Sequence, residues 1–278
     1  MNRVLAKIKS QKHPVRFLIS RVLWYTGLGR ILTIRLPSGV RIRFFPTAAS
    51  ASFWVDPAHS MDDGLFIGNY LAEGDTFIDV GANIGYLTLT GARKVGTTGH
   101  VISLEPHPRT FRFLNKNIRL NQLTNIQTHN VAVGDTKATL SFSDSKSDEQ
   151  NFITENGPLS VGLTTLDDLF DGASVELLKI DTEGYELFVL KGASKILPKT
   201  KLIFLESFQT HFDRYNYHRK DIVDLLARSH FKVFKFVSAN ELREIDPRSD
   251  LGEFENLVAV GDVAFLQSRM KNLTIVRI

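Results

Sequence analysis

The chain has 278 residues, 43% hydrophobic and 23% charged, which is enough for one full α/β domain with an appendage. The absence of cysteine excludes disulfides, thiolate metal sites and thiol nucleophiles. No apolar run reaches the ~18 residues that span a bilayer, and Arg16 and Arg21 interrupt the apolar stretches near the N-terminus, so we expect a cytoplasmic protein without a secretory signal.

The charge is unevenly distributed along the chain. The net charge is +4, yet residues 1–55 hold ten Lys and Arg residues and no Asp or Glu. Residues 56–278 carry 24 basic and 30 acidic side chains, which gives them a net charge of −6. We therefore predict a basic N-terminal extension over residues 1–55 and a main domain over residues 56–278. Such asymmetry indicates that the extension meets an anionic partner.

The extension is predicted to hold helical segments followed by a β-hairpin. Apolar residues have helical spacing in residues 2–8, and a second, strongly apolar stretch covers residues 15–25. Residues 31–36 and 40–44 alternate between apolar and polar on either side of Pro37-Ser38-Gly39, which is typical of a hairpin.

The second helical stretch has both apolar and basic character, because its arginines stand among Leu18, Ile19, Val22, Leu23 and Trp24. Such a helix can lie in the interface of an anionic membrane, which would place the protein at the inner face of that membrane. Alternatively, it packs on the main domain, whose negative net charge would attract it. A nucleic-acid-binding arm is a third interpretation, although no nucleic-acid-binding fold is recognisable.

From residue 76 onward, predicted strands and helices alternate. Because this alternation is typical of a mostly parallel sheet covered on both faces, the predicted fold class is α/β. The last two strands have no helix between them and should pair with each other, which makes one strand antiparallel. The predicted strands cover residues 76–80, 101–104, 126–133, 140–142, 175–180, 202–205, 231–237 and 257–260. The predicted helices cover residues 84–94, 109–120, 185–197 and 220–229, and residues 143–162 are predicted to form a loop.

A turn that contains glycine follows the first of these strands, with the sequence Asp79-Val80-Gly81-Ala82-Asn83-Ile84-Gly85. Glycines let a ligand approach the backbone, and this turn lies at the ligand-binding edge of such sheets. It lacks a dinucleotide fingerprint, because Asn83 and Tyr86 occupy the second and third glycine positions. An acidic Asp79 suits the cationic methionine part of S-adenosylmethionine better than a pyrophosphate. A plain structural turn is the alternative.

Acidic residues also follow the second and fourth strands. Glu105 ends the second strand, where an acid can accept both hydroxyls of a ribose; alternatively, it caps the next helix. After the fourth strand the chain reads Lys179-Ile180-Asp181-Thr182-Glu183-Gly184-Tyr185-Glu186. Three acids at the ligand edge are costly unless they bind something, although one capping carboxylate with two solvated neighbours would also explain them.

Five motifs occur in a fixed order over roughly residues 64–207. They are Asp79-Val80-Gly81-Ala82-Asn83-Ile84-Gly85, Leu104-Glu105-Pro106, Thr165-Leu166-Asp167-Asp168-Leu169, Leu178-Lys179-Ile180-Asp181-Thr182-Glu183-Gly184 and Val189-Leu190-Lys191-Gly192-Ala193. Each motif is modest by itself, but the ordered set is specific. Together the motifs resemble the FkbM family of methyltransferases. The resemblance does not reach residues 1–55.

The resemblance implies a seven-stranded Rossmann-like methyltransferase fold, S-adenosylmethionine as the cofactor, and most often O-methylation of sugars or related hydroxylated products. Asp181, Glu183 and Gly184 would then lie between the cofactor and the acceptor. Carried over by position, the residues that contact the cofactor would be Asp79, Gly81, Asn83 and Gly85 at its methionine part and Glu105 at its ribose.

Methyl transfer requires the hydroxyl oxygen in line with the methyl carbon at ~3 Å, and a general base helps because a sugar hydroxyl is a poor nucleophile. The predicted catalytic residues are Asp181, Glu183 and His211, although His211 could equally be an ordinary loop histidine. A divalent metal held by Asp181, Glu183 or Glu206 could instead acidify the hydroxyl. The sequence does not demand one, and no metal is assigned.

Two polar segments, residues 143–162 and 211–220, are predicted to shape the acceptor pocket, although the acceptor itself is not identified. Their aromatic residues that could stack on a sugar face are Phe152, Phe212, Tyr215 and Tyr217.

Two other functions compete with this hypothesis. A nucleic-acid methyltransferase would explain the basic extension, but the acids after the fourth strand would repel phosphates. The Asn- or Asp-Pro-Pro-aromatic motif of amino-methylating enzymes is also missing there. A non-catalytic binding module on the same fold is the second rival, and the intact glycine turn and Glu105 argue against it.

Overall fold

One large sheet lies at the centre of the described part of the protein. The computed structural model describes residues 12–145, 151–172, 174–245 and 254–277, so the helical prediction for residues 2–8 lies outside it. The strands are β1 (Thr33–Arg35), β2 (Arg41–Arg43), β3 (Thr76–Val80), β4 (His100–Leu104), β5 (Ile126–His129), β6 (Ala132–Val133), β7 (Ala138–Phe142), β8 (Leu159–Thr164), β9 (Val175–Ile180), β10 (Thr200–Phe208), β11 (Lys232–Ser238), β12 (Glu241–Glu244), β13 (Phe254–Val260) and β14 (Thr274–Val276).

Helices cover both faces of this sheet and form part of the N-terminal extension. Short 3₁₀ helices cover Leu28–Ile31 and Leu197–Lys199. The α-helices are α1 (Pro14–Thr26), α2 (Ala48–Val55), α3 (Met61–Tyr70), α4 (Tyr86–Val95), α5 (Pro108–Asn121), α6 (Leu166–Leu169), α7 (Glu186–Lys191), α8 (Gln209–Asp213), α9 (Arg219–Arg228) and α10 (Val263–Arg269).

The strand order in the large sheet is β14-β12-β11-β13-β10-β9-β3-β4-β5. Strands β3, β4, β5, β9 and β10 pair in parallel, whereas β13 is antiparallel to both β10 and β11. This arrangement confirms the predicted α/β fold class, including the pairing of the last two predicted strands with each other. Strands β12 and β14 extend one edge beyond the seven strands that were expected.

The chain reverses its direction of travel across the sheet between β3 and β9. It runs outward from β3 to β5 and then returns to β9, which pairs with β3. Val80 and Ile180 are register partners at the ends of these two strands. Because ligands bind at such reversal points in open parallel sheets, the fold brings the glycine turn and the acidic motif together at the ligand edge.

The middle strands are apolar because both of their faces are covered. Phe77 and Ile78 of β3, and Leu177 and Leu178 of β9, are fully buried. Parallel strands with helices on both faces read as continuous apolar runs, and this pattern explains why the sequence predicted them well. Charged residues within such strands are therefore conspicuous, and Asp79 and Lys179 are two of them.

Three element predictions were partly wrong. The strand predicted over residues 126–133 divides into β5 and β6, and β6 joins a separate sheet of order β6-β8-β7. The loop predicted over residues 143–162 contains the start of β8. The helix predicted over residues 185–197 ends at Lys191, and Gly192 follows it in close contact with a neighbouring loop, where a Cβ would lie 1.9 Å from a backbone oxygen.

The N-terminal extension packs on the main domain through its hairpin. The hairpin prediction is confirmed, since Ile34 pairs with Ile42 in the antiparallel β1–β2 sheet. Both residues are buried in a cluster that also contains Ile84 and Leu114. The backbone N–H of Arg43 donates to the side-chain oxygen of an asparagine in α5 at 2.9 Å. The strand edge of the hairpin is therefore fastened to a helix of the main domain.

Candidate active site

A cavity of about 770 Å³ opens at the carboxyl ends of the parallel strands. Its lining is strongly acidic: among the described residues that line it, seven are Asp or Glu and one, Lys179, is a lysine. Gly85, which was predicted to contact a cofactor, is not part of the lining. The predicted site residues that do line it are Asp79, Gly81, Asn83, Glu105, Asp181, Glu183 and His211.

The glycine turn after β3 brings two loops into direct backbone contact. Gly81 has a φ of +78°, and a Cβ atom there would lie 1.7 Å from the backbone oxygen of Asp181. Asn83 is also left-handed, with a φ of 49°, and its side-chain oxygen accepts a 2.7 Å hydrogen bond from the N–H of Ile84. A Cβ atom on Gly85 would lie 2.6 Å from Leu114. Gly85 thus permits close helix packing, and its predicted contact with a cofactor stays a prediction.

Glu105 holds the turn and the start of α5 at the same time. One of its carboxylate oxygens accepts from the N–H of Asn83 at 2.9 Å, and the other accepts from the N–H of His107 at 2.9 Å. Each carboxylate oxygen can accept more than one hydrogen bond. The capping role and the predicted ribose role are therefore compatible, because Glu105 also lines the cavity.

Lys179 is a buried cation that the sequence analysis did not place in the site. Its Nζ lies 3.2 Å from Asp79 Oδ1 and 3.4 Å from Asp181 Oδ2, and it donates to the backbone oxygen of Gly81 at 2.8 Å. Burial alone would lower the pKa of Lys179, but the two carboxylates reverse this effect and raise it. Asp79 is therefore already paired with a protein cation, which leaves it less suited to a cofactor ammonium group than the sequence suggested.

A sequence signal for Lys179 did exist. Charged residues are almost never fully buried without a partner, and both Asp79 and Lys179 stand inside apolar parallel strands. They are direct register partners on β3 and β9. Without knowledge of which strands are neighbours, the pairing could not be predicted.

Two predicted catalytic residues, Glu183 and His211, lie in the cavity lining close to Glu206, which the sequence named as a possible metal ligand. His211 Nδ1 lies 3.3 Å from Glu183 Oε2 and 3.8 Å from Glu206 Oε2, and it makes no aligned hydrogen bond to the described residues. Burial and nearby Arg214 lower the pKa of His211, with only partial compensation by Asp181. Burial and the charges of Asp181 and Glu183 raise the pKa of Glu206 well above its usual range.

The same three side chains could hold a divalent cation. One ligand atom from each of Glu183, Glu206 and His211 lies within 4.8 Å of the others. Two carboxylate oxygens and one imidazole nitrogen are chemically suitable ligands, although at least three further oxygens would be needed for a typical hard cation. The geometry thus allows His211 to act either as a neutral base or as a metal ligand.

The loop that carries Asp181 and Glu183 is shaped by a buried carboxylate, Glu186. It accepts from the backbone N–H groups of Thr182 and Gly184 at 2.8 and 3.3 Å, and burial raises its pKa. Glu186 is the capping carboxylate that the alternative interpretation foresaw. Of its two neighbours, the side chain of Asp181 is 40% exposed, whereas that of Glu183 is only 19% exposed and so less solvated than that alternative supposed.

Asp63 is a further cavity residue that the sequence analysis missed. It lies on α3, a helix that was not predicted, and burial together with the nearby Asp181 and Asp62 raises the pKa of Asp63 to about 6. Its place in the site depends on how α3 packs over the sheet edge, for which the local sequence offers no pattern.

The two segments predicted to shape the acceptor pocket do meet, but their aromatic residues lie elsewhere. Tyr215 donates from its hydroxyl to the backbone oxygen of Ile153 at 2.8 Å, which joins the segments. Phe212 and Tyr217 are buried in the core cluster. Phe152 packs against the guanidinium of Arg214 at 3.9 Å. The aromatic residues that line the cavity are Phe53, Tyr86, Phe142, Tyr185, Phe204, Phe208 and Phe236.

Comparison with known proteins gives this site a family context. The chain is 29% identical to the hexuronic acid methyltransferase AglP of Haloferax volcanii over 139 residues, which cover 48% of this chain and 56% of the relative. It is 28% identical to methyltransferase 1 of Beauveria bassiana over 146 residues, which cover 42% of this chain and 58% of the relative. The chain thus spans little more than half the length of these relatives.

A solved SAM-dependent O-methyltransferase from Thermotoga maritima aligns with 71% of this chain and 64% of its own length, at a TM-score of 0.43 and 17% identity. The family model for the methyltransferase FkbM domain matches residues 79–236 of this chain. That range is more than half of the chain and contains the glycine turn, Glu105 and the acidic cluster. The protein therefore belongs to the FkbM family of S-adenosylmethionine-dependent methyltransferases.

Proposed function

We propose that the protein transfers a methyl group from S-adenosylmethionine to a hydroxyl of a sugar unit in a glycan or glycolipid. The observation that carries this proposal is the continuity of the cavity from the turn at Gly81 and Glu105 to the cluster of Asp181, Glu183 and His211. A cofactor held at the first end would face a hydroxyl held at the second. The name of the Haloferax relative, a hexuronic acid methyltransferase, supports a sugar acceptor.

The residues at the first end fit the proposed cofactor. When bound, S-adenosylmethionine supplies a methyl group attached to a positively charged sulfur. The surplus of carboxylates in the cavity would favour that positive charge. The missing side chain at Gly81 lets the Asp181 loop approach the glycine turn, so both loops line the same cavity. Glu105 would accept hydrogen bonds from the ribose hydroxyls while it holds the turn.

We expect Glu105→Gln to weaken binding of S-adenosylmethionine by about 1–3 kcal/mol, because charge-assisted hydrogen bonds to the ribose are lost. Isothermal titration calorimetry measures this change. Glu73→Gln, which alters an exposed glutamate outside the cavity lining, is the matched control and should bind as the parent does. If a folded Glu105→Gln protein binds the cofactor as tightly as the parent, the ribose assignment is wrong.

At the second end, His211 would act as the general base. Its lowered pKa keeps the imidazole neutral at pH 7, so it can accept the proton of the acceptor hydroxyl. Glu183, 3.3 Å from Nδ1, would orient the ring and stabilise the imidazolium after proton transfer. Asp181 lies on the same loop as Glu183. It would accept a hydrogen bond from the acceptor and so position the reacting oxygen.

The proposed base predicts how activity depends on pH. Because burial and Arg214 lower the pKa of His211, the neutral form prevails above that pKa and is lost as the pH falls through it. We therefore expect kcat/KM to fall on the acid side with an apparent pKa below the usual value of about 6.5. The profile of His211→Asn should lack this limb. An acid limb that persists unchanged in the variant would remove His211 from the proton-transfer step.

The acceptor proposal is tested with radiolabelled S-adenosylmethionine and two sets of glycosides, neutral hexosides and hexuronosides. We expect label in a sugar O-methyl group in at least one set. The acidic cavity favours neutral sugars, whereas a uronic acid would need its carboxylate turned toward the exposed Arg214. Label in nucleic acid, or cofactor binding without transfer to any glycan fraction, would contradict the proposal.

A further inference from the structure

Helix α1 turns a stripe of large apolar side chains toward solvent. An adjacent side of the helix packs inward, since Ser20 is buried and Leu23 contacts the hydrophobic cluster beneath the hairpin. Residues spaced by three and four positions share one side of an α-helix, so the outward residues form a single stripe. They are Val15, Leu18, Ile19, Val22 and Tyr25, with exposures between 41% and 81%.

The stripe continues past the end of α1 and is bordered by arginines. Leu28 and Ile31, in the next turn of chain, are 62% and 83% exposed. At about 100° per residue, Arg16 and Arg21 fall on either side of the stripe. A contiguous apolar surface of this kind is unusual in water and marks an interaction site.

A basic groove shares the 3₁₀ segment Leu28–Ile31 with these exposed apolar residues. A cavity of about 390 Å³ is lined by Arg30, which lies between Leu28 and Ile31, and by basic residues of β2 and α5. The Nε of Arg43 is buried there and has no hydrogen-bond partner among the described residues. Helix α5 itself has no acidic residue. The residues that line the groove are Arg30, Arg43, Phe45, Arg109, Arg112, Phe113 and Lys116.

We infer that the stripe of α1 and this basic groove form one docking surface for an anionic lipid bilayer. The apolar side chains would enter the headgroup boundary while the flanking cations meet lipid phosphates. The charge of the surface matches this partner, because residues 1–55 hold ten basic and no acidic residues. Helix α1 has 13 residues, fewer than a membrane-spanning helix needs, so it would lie along the membrane surface. No helix in the described part of the chain is long and apolar enough to cross a membrane. The inference is independent of the proposed acceptor.

The structure also revises which residues would enter the membrane. The sequence placed Leu23 and Trp24 with the interfacial residues, but Leu23 packs inward and Trp24 is half-buried beside Arg21. Packing on the main domain and docking on a membrane are therefore compatible, because they use different residues of α1.

Flotation of the full-length protein with vesicles tests the inference. We expect binding to vesicles of phosphatidylcholine mixed with phosphatidylglycerol, and binding at least about tenfold weaker to phosphatidylcholine alone or at high salt. The double variants Leu18→Glu/Val22→Glu and Arg112→Glu/Lys116→Glu should each weaken binding by about tenfold or more. Two control variants, Val276→Glu and Lys271→Glu, each replace one exposed apolar or basic residue with Glu outside this surface. Both should bind the vesicles as the parent does.

Unchanged affinity for S-adenosylmethionine shows that each variant is folded, so a loss of flotation reports on the surface alone. Failure of the parent to float with either vesicle type at low salt overturns the inference. Flotation of Leu18→Glu/Val22→Glu at the level of the parent overturns it as well. A parent that is dimeric without lipid and becomes monomeric in that variant would instead assign the stripe to an interface between two copies of the chain.

Discussion

Replacing His211 with Asn should lower kcat by about 10²–10⁴-fold while cofactor affinity changes little, because the general base is lost and the cofactor end of the cavity is untouched. His211 lines the cavity and approaches Glu183 at 3.3 Å, where we propose that the acceptor binds. Asp181→Asn and Glu183→Gln should also lower turnover far more than they lower cofactor affinity. Steady-state kinetics at saturating cofactor, combined with calorimetry, separates the two effects.

The matched control for this prediction is His230→Asn. His230 is exposed and has a φ of 67°, a backbone conformation that Asn adopts readily, so the exchange should leave both turnover and affinity unchanged. The opposite pattern in the site variants, with lost cofactor binding and normal turnover at saturation, would move Asp181 and Glu183 to the cofactor site.

A chelator distinguishes the base from the metal. If Glu183, Glu206 and His211 hold a divalent cation, thorough chelation should abolish turnover and added Mg²⁺ or Mn²⁺ should restore it. With His211 as the base, turnover should survive chelation. Loss of activity on chelation would contradict the base assignment even if His211→Asn is inactive, because a metal ligand is equally essential.

The parts of the site that could be predicted from sequence are those carried by short, contiguous patterns. The glycine turn and Glu105 follow apolar strands directly, and the parallel sheet then fixes their place at one edge. Residues whose position depends on contacts between distant segments could not be placed. Asp63 reaches the cavity through the packing of α3, and Lys179 meets Asp79 because β9 is the neighbour of β3 in the sheet.

The aromatic residues also show what the sequence can and cannot predict about the site. Phe212 and Tyr217 were expected to face an acceptor because they stand in a polar segment. They are buried instead and stack on each other with ring centroids 4.8 Å apart. Polar surroundings in the sequence indicate an irregular segment, but they do not say which side of that segment faces the core.

Lys179→Met should destabilise the protein by about 3–5 kcal/mol, because it leaves Asp79 buried next to the apolar core without its cation. Asp79 is 1% exposed and Lys179 is 4% exposed, so water cannot replace the lost partner. Denaturant unfolding measures the change, and Lys232→Met, at an exposed position of β11, is the matched control. Its free energy of unfolding should stay within about 0.5 kcal/mol of the parent value.

The double variant Asp79→Asn/Lys179→Met decides whether the lost stability arises from the uncompensated charge. It removes both members of the pair, so it should recover part of the stability lost in Lys179→Met. The contribution of the Asp79–Lys179 pair to the free energy of unfolding should also be constant from neutral to mildly alkaline pH. Because the pKa of Lys179 is raised, its contribution to stability is complete below the unfolded value of about 10.4 and is lost only as the pH rises through the higher folded value. A double variant no more stable than Lys179→Met would show that Lys179 acts through its hydrogen bond to the backbone oxygen of Gly81, and so through the shape of the glycine turn.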